Sequence, residues 1–152
     1  MNTIDPVEVE QRLEQLKEAC REDGLRMTHQ RMEIFRVVAQ TEEHPGVETI
    51  FKRVREKLPT VSHDTVYRTL ASLEGMGLVS RVDPAGSRAR YDANRDIHHH
   101  FVCTKCGLIS DLYLNEEPPL PEGIENLGNA ESLHLQVRGV CHNCGNNQPR
   151  EQ

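Results

Sequence analysis

A chain of 152 residues with 36% hydrophobic and only 4% aromatic content, and no tryptophan, suits one large or two small domains with mainly aliphatic cores. No apolar run is long enough for a transmembrane helix and no charged-then-apolar leader is evident, so the five cysteines point to a reducing cytoplasm and to metal binding. The formal net charge of −6 argues against a nucleic-acid partner, yet Gly24 to Arg90 carries eleven Lys/Arg against eight Asp/Glu, the local surplus expected of a DNA-contacting module.

Asp5-Pro6 predicts a helix start, with Asp as cap and Pro in the first turn. Val9, Leu13, Leu16 and Cys20 then share one stripe up to Gly24, which marks Cys20 as a small core residue and not a ligand. Thr28 caps a second helix with Ile34, Phe35 and Val38 inward. Glu42 to Gly46 reads as a turn. A third helix follows, with Val47, Ile50, Phe51, Val54 and Leu58 inward and Lys52, Arg53, Arg55 and Lys57 mostly outward, ended by Pro59.

Ser62 caps a fourth helix that buries Val66, Leu70 and Leu73 and closes at Gly75 and Gly77. Leu78–Val82 and Arg88–Tyr91 then read as strands joined by a turn at Asp83-Pro84-Ala85-Gly86-Ser87. Helices followed by a basic hairpin describe a winged helix-turn-helix, whose fourth helix enters the major groove. Its outward face offers Ser62, His63, Thr65, Tyr67 and Arg68 as DNA contacts, with Arg26 added from the approach to the second helix. A solvated polar helix face explains the same pattern without DNA.

The expected organisation is a winged-helix domain over residues 1–90, its first helix at 6–23. A hinge follows at 91–95, then a second domain over 96–146 and a polar tail over 147–152. Residues 98–103 and 107–114 read as strands, and Leu133, Leu135 and Val137 alternate into a last one. Cys103 and Cys106 form one C-x2-C knuckle and Cys141 and Cys144 another, 34 residues further on. Two such pairs match a closed, tetrahedral, all-thiolate structural zinc site, whereas a C-x2-C pair is poorly shaped for an ordinary disulfide. His98 and His100 point to one face of a strand and His99 to the other. Asp111 returns alongside them past the zinc turn, and His44 and Asp92 lie between the two domains. Two or three nitrogens and two oxygens suit Fe(II) or Mn(II). A solvated histidine run at a strand end is the competing explanation.

The chain resembles the ferric uptake regulator superfamily of bacterial metal-dependent repressors from about residue 8 to residue 145. The resemblance is carried by Leu25-Arg26-Met27-Thr28-His29-Gln30-Arg31, by Glu43-His44-Pro45 and by Val61 to Leu70. Arg90-Tyr91-Asp92, His98 to Cys103, Cys106 to Asp111 and Gly139 to Cys144 extend it. It implies an α+β protein, with an N-terminal winged helix and a C-terminal α/β dimerisation domain, that binds palindromic operator DNA as a homodimer. It also implies structural zinc on Cys103, Cys106, Cys141 and Cys144. His44, Asp92, His98, His100 and Asp111 match the regulatory Fe(II) or Mn(II) site, and Tyr67 and Arg68 match recognition-helix positions.

Iron-responsive members tend to carry Glu where Asp92 and Asp111 stand, and the Asp pair resembles the peroxide-sensing branch. That branch implies that hydrogen peroxide, acting on bound Fe(II), oxidises a ligand imidazole, His44 or His98, and so releases the operator. The alternative within the family is a repressor responding to iron or manganese by reversible occupancy. A metalloenzyme built on His98 and His100 is disfavoured, because the chain lacks H-E-x-x-H, a nucleophile elbow and a phosphate loop. A zinc-ribbon interaction module with no second metal is a further competitor. Glu116 to Ala130, where relatives usually carry a helix, is interrupted by Pro118, Pro119, Pro121, Gly123 and Gly128. His134, near the place of an additional ligand in relatives, is given no role.

Overall fold

The Asp5 carboxylate accepts from the Val7 amide at 2.7 Å and Pro6 needs no partner for its missing N–H, so helix α1 begins at once and runs Pro6–Glu22. The structure is a computed structural model that describes residues 3–84 and 88–146 and divides the chain into two units, Met1–Arg95 and Asp96–Gln152. The middle of the expected wing turn, residues 85–87, and the polar tail from residue 147 lie outside the described residues.

In the first unit α1 is followed by α2 (His29–Ala39), α3 (Val47–Lys57) and α4 (His63–Gly75), then strands β1 (Ser80–Val82) and β2 (Arg90–Asp92). The hydroxyls of Thr28 and Ser62 cap α2 and α4, accepting from the amides of Arg31 at 3.1 Å and Thr65 at 3.0 Å. Gly24 (φ +65°) takes the left-handed turn by which the chain leaves α1. One aliphatic core joins all four helices: Val9, Leu13, Leu16 and Cys20 meet Ile34, Phe35 and Val38, then Ile50 and Val54, then Val66, Leu70 and Leu73. Arg12 fastens the first pair further, donating to the Ala39 carbonyl at 3.0 Å and so satisfying the end of α2. β1 and β2 pair antiparallel, Arg81 opposite Tyr91, and complete a winged helix-turn-helix. Tyr91 lies in β2 as the expected strand had it, and Asp92, expected within a hinge, is also a strand residue, paired with Ser80.

The second unit is a three-stranded sheet in the order β4-β3-β5, with β3 (His99–Cys103), β4 (Ile109–Leu112) and β5 (Gln136–Gly139). β3 runs antiparallel to β4 and parallel to β5. The connection between β4 and β5 holds only a 3-10 turn, Ile124–Asn126, in line with its proline and glycine content. The short helix α5 (His142–Asn146) ends the described chain. Among the described residues, buried hydrophobic side chains in this unit are limited to Val102, Cys103, Ile109 and Cys141. So small a core does not hold about fifty residues by apolar burial alone. Among the described residues no helix is long and apolar enough to cross a membrane.

Replacing Leu16, which is fully buried, should cost the first unit about 2–5 kcal/mol as Leu16→Ala, whereas Val7→Ala, 66% exposed, should stay within about 0.5 kcal/mol. Urea denaturation compares the two, and equal midpoints would show that α1 is not part of the cooperative core.

Candidate metal centres and nucleic-acid interface

Four sulfurs converge where β3, the turn after it and the end of β5 meet. The Cys103 amide donates to the Leu108 carbonyl at 2.8 Å and the Gly107 amide to the Cys103 carbonyl at 3.0 Å, closing a knuckle in which Gly107 adopts φ +75°. β5 reaches the same place in parallel register, Cys103 beside Gly139, and the Cys141 amide donates to Cys103 Sγ at 3.3 Å. α5 then swings Cys144 inward, so that the thiols of Cys103, Cys106, Cys141 and Cys144 all lie within 4.8 Å of one another. Cys106 and Cys141 Sγ are 3.8 Å apart. A tetrahedron with metal–sulfur bonds of about 2.3 Å has edges of about 3.8 Å, so this donor set fits a closed zinc site.

The electrostatics agree. Amides of Cys106, Cys141 and Lys105 aimed at Cys103 pull its thiol down to about 6, while the adjoining thiols of Cys141 and Cys106 push Cys144 up to about 12. Without a cation the four cannot ionise together; a divalent metal removes that conflict.

A second cluster uses the same strand. His100 pairs directly with Asp111 across β3 and β4, and His98 lies two residues earlier with its ring edge-on to that of His100, centroids 4.8 Å apart. Both Nε2 atoms face Asp111 Oδ1, at 3.4 Å from His98 and 3.6 Å from His100. His98 Nδ1 lies 2.6 Å from the Asp96 carbonyl, which only accepts, so Nδ1 carries the hydrogen and a neutral ring turns its Nε2 lone pair toward Asp111. Two imidazole nitrogens and a carboxylate oxygen aimed at one point call for a proton or a cation between them. His99 points the other way; it is buried, and its Nδ1 accepts from the Leu135 amide at 3.0 Å, which ties the approach of β5 to β3. His134 is exposed.

In the first unit His44 and Asp92 are both buried, with Nε2 to Oδ2 at 3.2 Å. The other carboxylate oxygen accepts from the Asn94 amide at 2.8 Å. The Tyr91 amide donates to the Pro45 carbonyl at 3.0 Å, and Arg90 donates to the carbonyls of Glu43 and His44. These bonds stitch the turn to β2 beside Asp92. Burial holds the Arg90 guanidinium below its ordinary range, the cost of seating a cation there. His44 adopts φ +52°, a left-handed conformation unfavourable for a non-glycine residue, and it precedes a proline that further restricts it. Strain of this kind persists where surrounding bonds over-determine it, and here it aims an imidazole at a carboxylate.

Of the expected DNA contacts, Tyr67 and Arg68 are the most available on α4. Tyr67 is 54% exposed, and Arg68 Nε lies 3.0 Å from the exposed Asp64 one turn back. The Ser62 hydroxyl is engaged as cap and lies 2.8 Å from the Thr65 hydroxyl. His63 is docked on α3, with Nε2 2.8 Å from Glu48 Oε1 and its ring edge against Phe51. Arg26 is exposed, its carbonyl accepting from Arg31. The Arg90 clamp, the Glu48 partner of His63 and the His99 tie escape sequence reading, since each joins residues 15 to 47 positions apart.

The model of the ferric uptake regulator family matches residues 22–138. Ferric uptake regulation protein 1 of Mycolicibacterium fortuitum is 46% identical over 95 residues, covering 60% of this chain and 57% of that protein. The peroxide-responsive repressor PerR of Staphylococcus epidermidis is 28% identical over 138 residues, covering 90% of this chain and 92% of the other. Among solved structures, the Helicobacter pylori ferric uptake regulator Fur, described with three functional metal-binding sites, superposes with a TM-score of 0.72. It has 26% identity and covers 95% of this chain and 97% of that one.

Cys141→Ser should abolish zinc retention and unfold the second unit, because metal affinity there is folding free energy. Metal analysis and circular dichroism check it; a zinc-free variant with the native spectrum would show that the thiol cluster is not structural.

Proposed function

We propose a peroxide-sensing, metal-dependent repressor as the function of this chain, which belongs to the ferric uptake regulator family. Members of that family are metal-responsive transcriptional regulators and not enzymes. In this reading the chain binds palindromic operator DNA as a homodimer in the cytoplasm, with Tyr67 and Arg68 leading the recognition helix and Arg26, Ser62, His63 and Thr65 around them. Cys103, Cys106, Cys141 and Cys144 hold structural Zn(II). Fe(II) or Mn(II) is held by His44 and Asp92 of one unit together with His98, His100 and Asp111 of the other. Three nitrogens and two oxygens are a donor set suited to either ion, whereas two or three donors alone make a weak site. Shared ligation then links metal occupancy to the arrangement of the winged helices.

One observation carries the peroxide reading: both carboxylates are aspartates, where iron-responsive relatives tend to have glutamate. Fe(II), when held by these residues, would supply the electrons that reduce hydrogen peroxide beside the rings of His44 and His98. The protein's own part is placement. The Asp96 carbonyl fixes the His98 tautomer, and the Arg90 bonds hold His44 in its strained turn. An imidazole that takes up oxygen is a poor donor, so one oxidised ring loosens the shared site and with it the operator complex. The 46% identity to a ferric uptake protein favours a second reading, reversible occupancy without oxidation, over the 95 residues it covers.

Brief hydrogen peroxide on the Fe(II)-loaded protein should add one oxygen to peptides holding His44 or His98, with the Mn(II)-loaded protein unchanged, as read by mass spectrometry. Metal-dependent DNA binding without any such oxygen would move the chain to the occupancy sensors. Asp92→Ala should keep zinc and fold yet lose Mn(II)-dependent retention of a palindromic operator in a gel shift; unchanged retention would remove Asp92 from the ligand set.

A further inference from the structure

One aromatic ring lies against the second cluster without belonging to it. Tyr113 lies just beyond the end of β4, two residues after Asp111. Its ring sits on His98, with centroids 5.7 Å apart and planes inclined by 33°. Tyr113 is 57% exposed while the His98 side chain is only 5% exposed, so the phenol overlies the imidazole on its solvent side. An oxidant released at the cluster beside His98 therefore has two neighbouring rings to attack, and the phenol is the more electron-rich. Short-lived oxidants react with what they touch, so proximity decides the product.

We propose that Tyr113 is itself a modification site, hydroxylated by hydrogen peroxide at iron bound to the neighbouring cluster. This rests on the peroxide reading above. In the balanced step a ring C–H next to the phenol becomes C–OH, one peroxide oxygen enters the ring and the other leaves as water. The ring gives up the two electrons that peroxide takes up. The product is a catechol side chain. Tyr113 then shares oxidising equivalents with His98 and raises the dose of peroxide needed to release the operator. It acts as a sacrificial partner and not as a ligand.

The test uses the full-length, zinc-loaded protein with Fe(II), with Mn(II), or with no second metal, each given brief hydrogen peroxide. Trypsin cleavage after Arg95, Lys105 and Arg138 puts His98 and Tyr113 in different peptides. Fragmentation then separates oxygen on Tyr113 from oxygen on Cys106. The expected result is one oxygen on Tyr113 in the iron sample alone, positive to a catechol-specific redox stain. Tyr113→Phe should gain one oxygen at the same position without the stain. Tyr113→Leu, folded by circular dichroism and zinc content, should raise the oxidised fraction of His98 at limiting peroxide. Oxygen on His44 or His98 with none on Tyr113 overturns this inference and leaves the peroxide reading standing. No oxygen on any of the three overturns both. Equal oxidation of Tyr113 with Mn(II) or no metal also overturns it, since peroxide would then act without the cluster.

Discussion

Convergence of four thiols on one point is the constraint on which the second unit depends. The sheet β4-β3-β5 buries very few apolar side chains, and two of those are themselves cysteines of the cluster. Within a single chain, apolar burial at roughly 25 cal/mol per Å² offsets little of the ordering of so many residues. A metal on the clustered thiols of Cys103, Cys106, Cys141 and Cys144 would tie the knuckle after β3 to the end of β5. His100 faces Asp111 because the knuckle sets the return of the chain, so the geometry of the three-donor cluster is inherited from the sulfurs.

The first unit solves the opposite problem. Its aliphatic core is ample, and the difficulty is to seat a buried polar pair. His44 and Asp92 are brought together by backbone bonds from β2 to the turn before α3, with Arg90 spanning the carbonyls of Glu43 and His44. That guanidinium is partly desolvated, and the His44 backbone is held where few non-glycine residues go. Both costs are offset by the packing of the helical core.

How far the sequence could be read follows from the range of each interaction. The stripe Val9, Leu13, Leu16 and Cys20, the caps Asp5, Thr28 and Ser62 and the C-x2-C knuckles are local signals with fixed periods, and they lead directly to the observed helices and the thiol cluster. The pairing of His100 with Asp111 was also legible, because a tight turn leaves little choice of register. Other features were not. The positive φ of His44 depends on a side chain 46 positions away. His63 looked like a free recognition residue until α3 placed Glu48 beside it. His99 had no evident role until parallel pairing brought Leu135 to its ring, and Tyr113 carried no motif at all. Each depends on tertiary register, which local propensity does not encode.

Strand β3 carries donors for both centres on a single pleated ladder. His98, just before it, and His100 serve one centre on one face, and Cys103 ends the strand for the other, with His99 locked between on the reverse side. Successive residues advance about 3.3 Å and alternate faces, so the spacing from imidazole to thiol is set by residue count and not by side-chain choice. Point substitutions can therefore tune either centre alone. Insertion or deletion of one residue between His100 and Cys103 would exchange the faces and dismantle one centre to keep the other. The two donor clusters are thus coupled genetically through one strand, and this segment should tolerate change of letter far better than change of length.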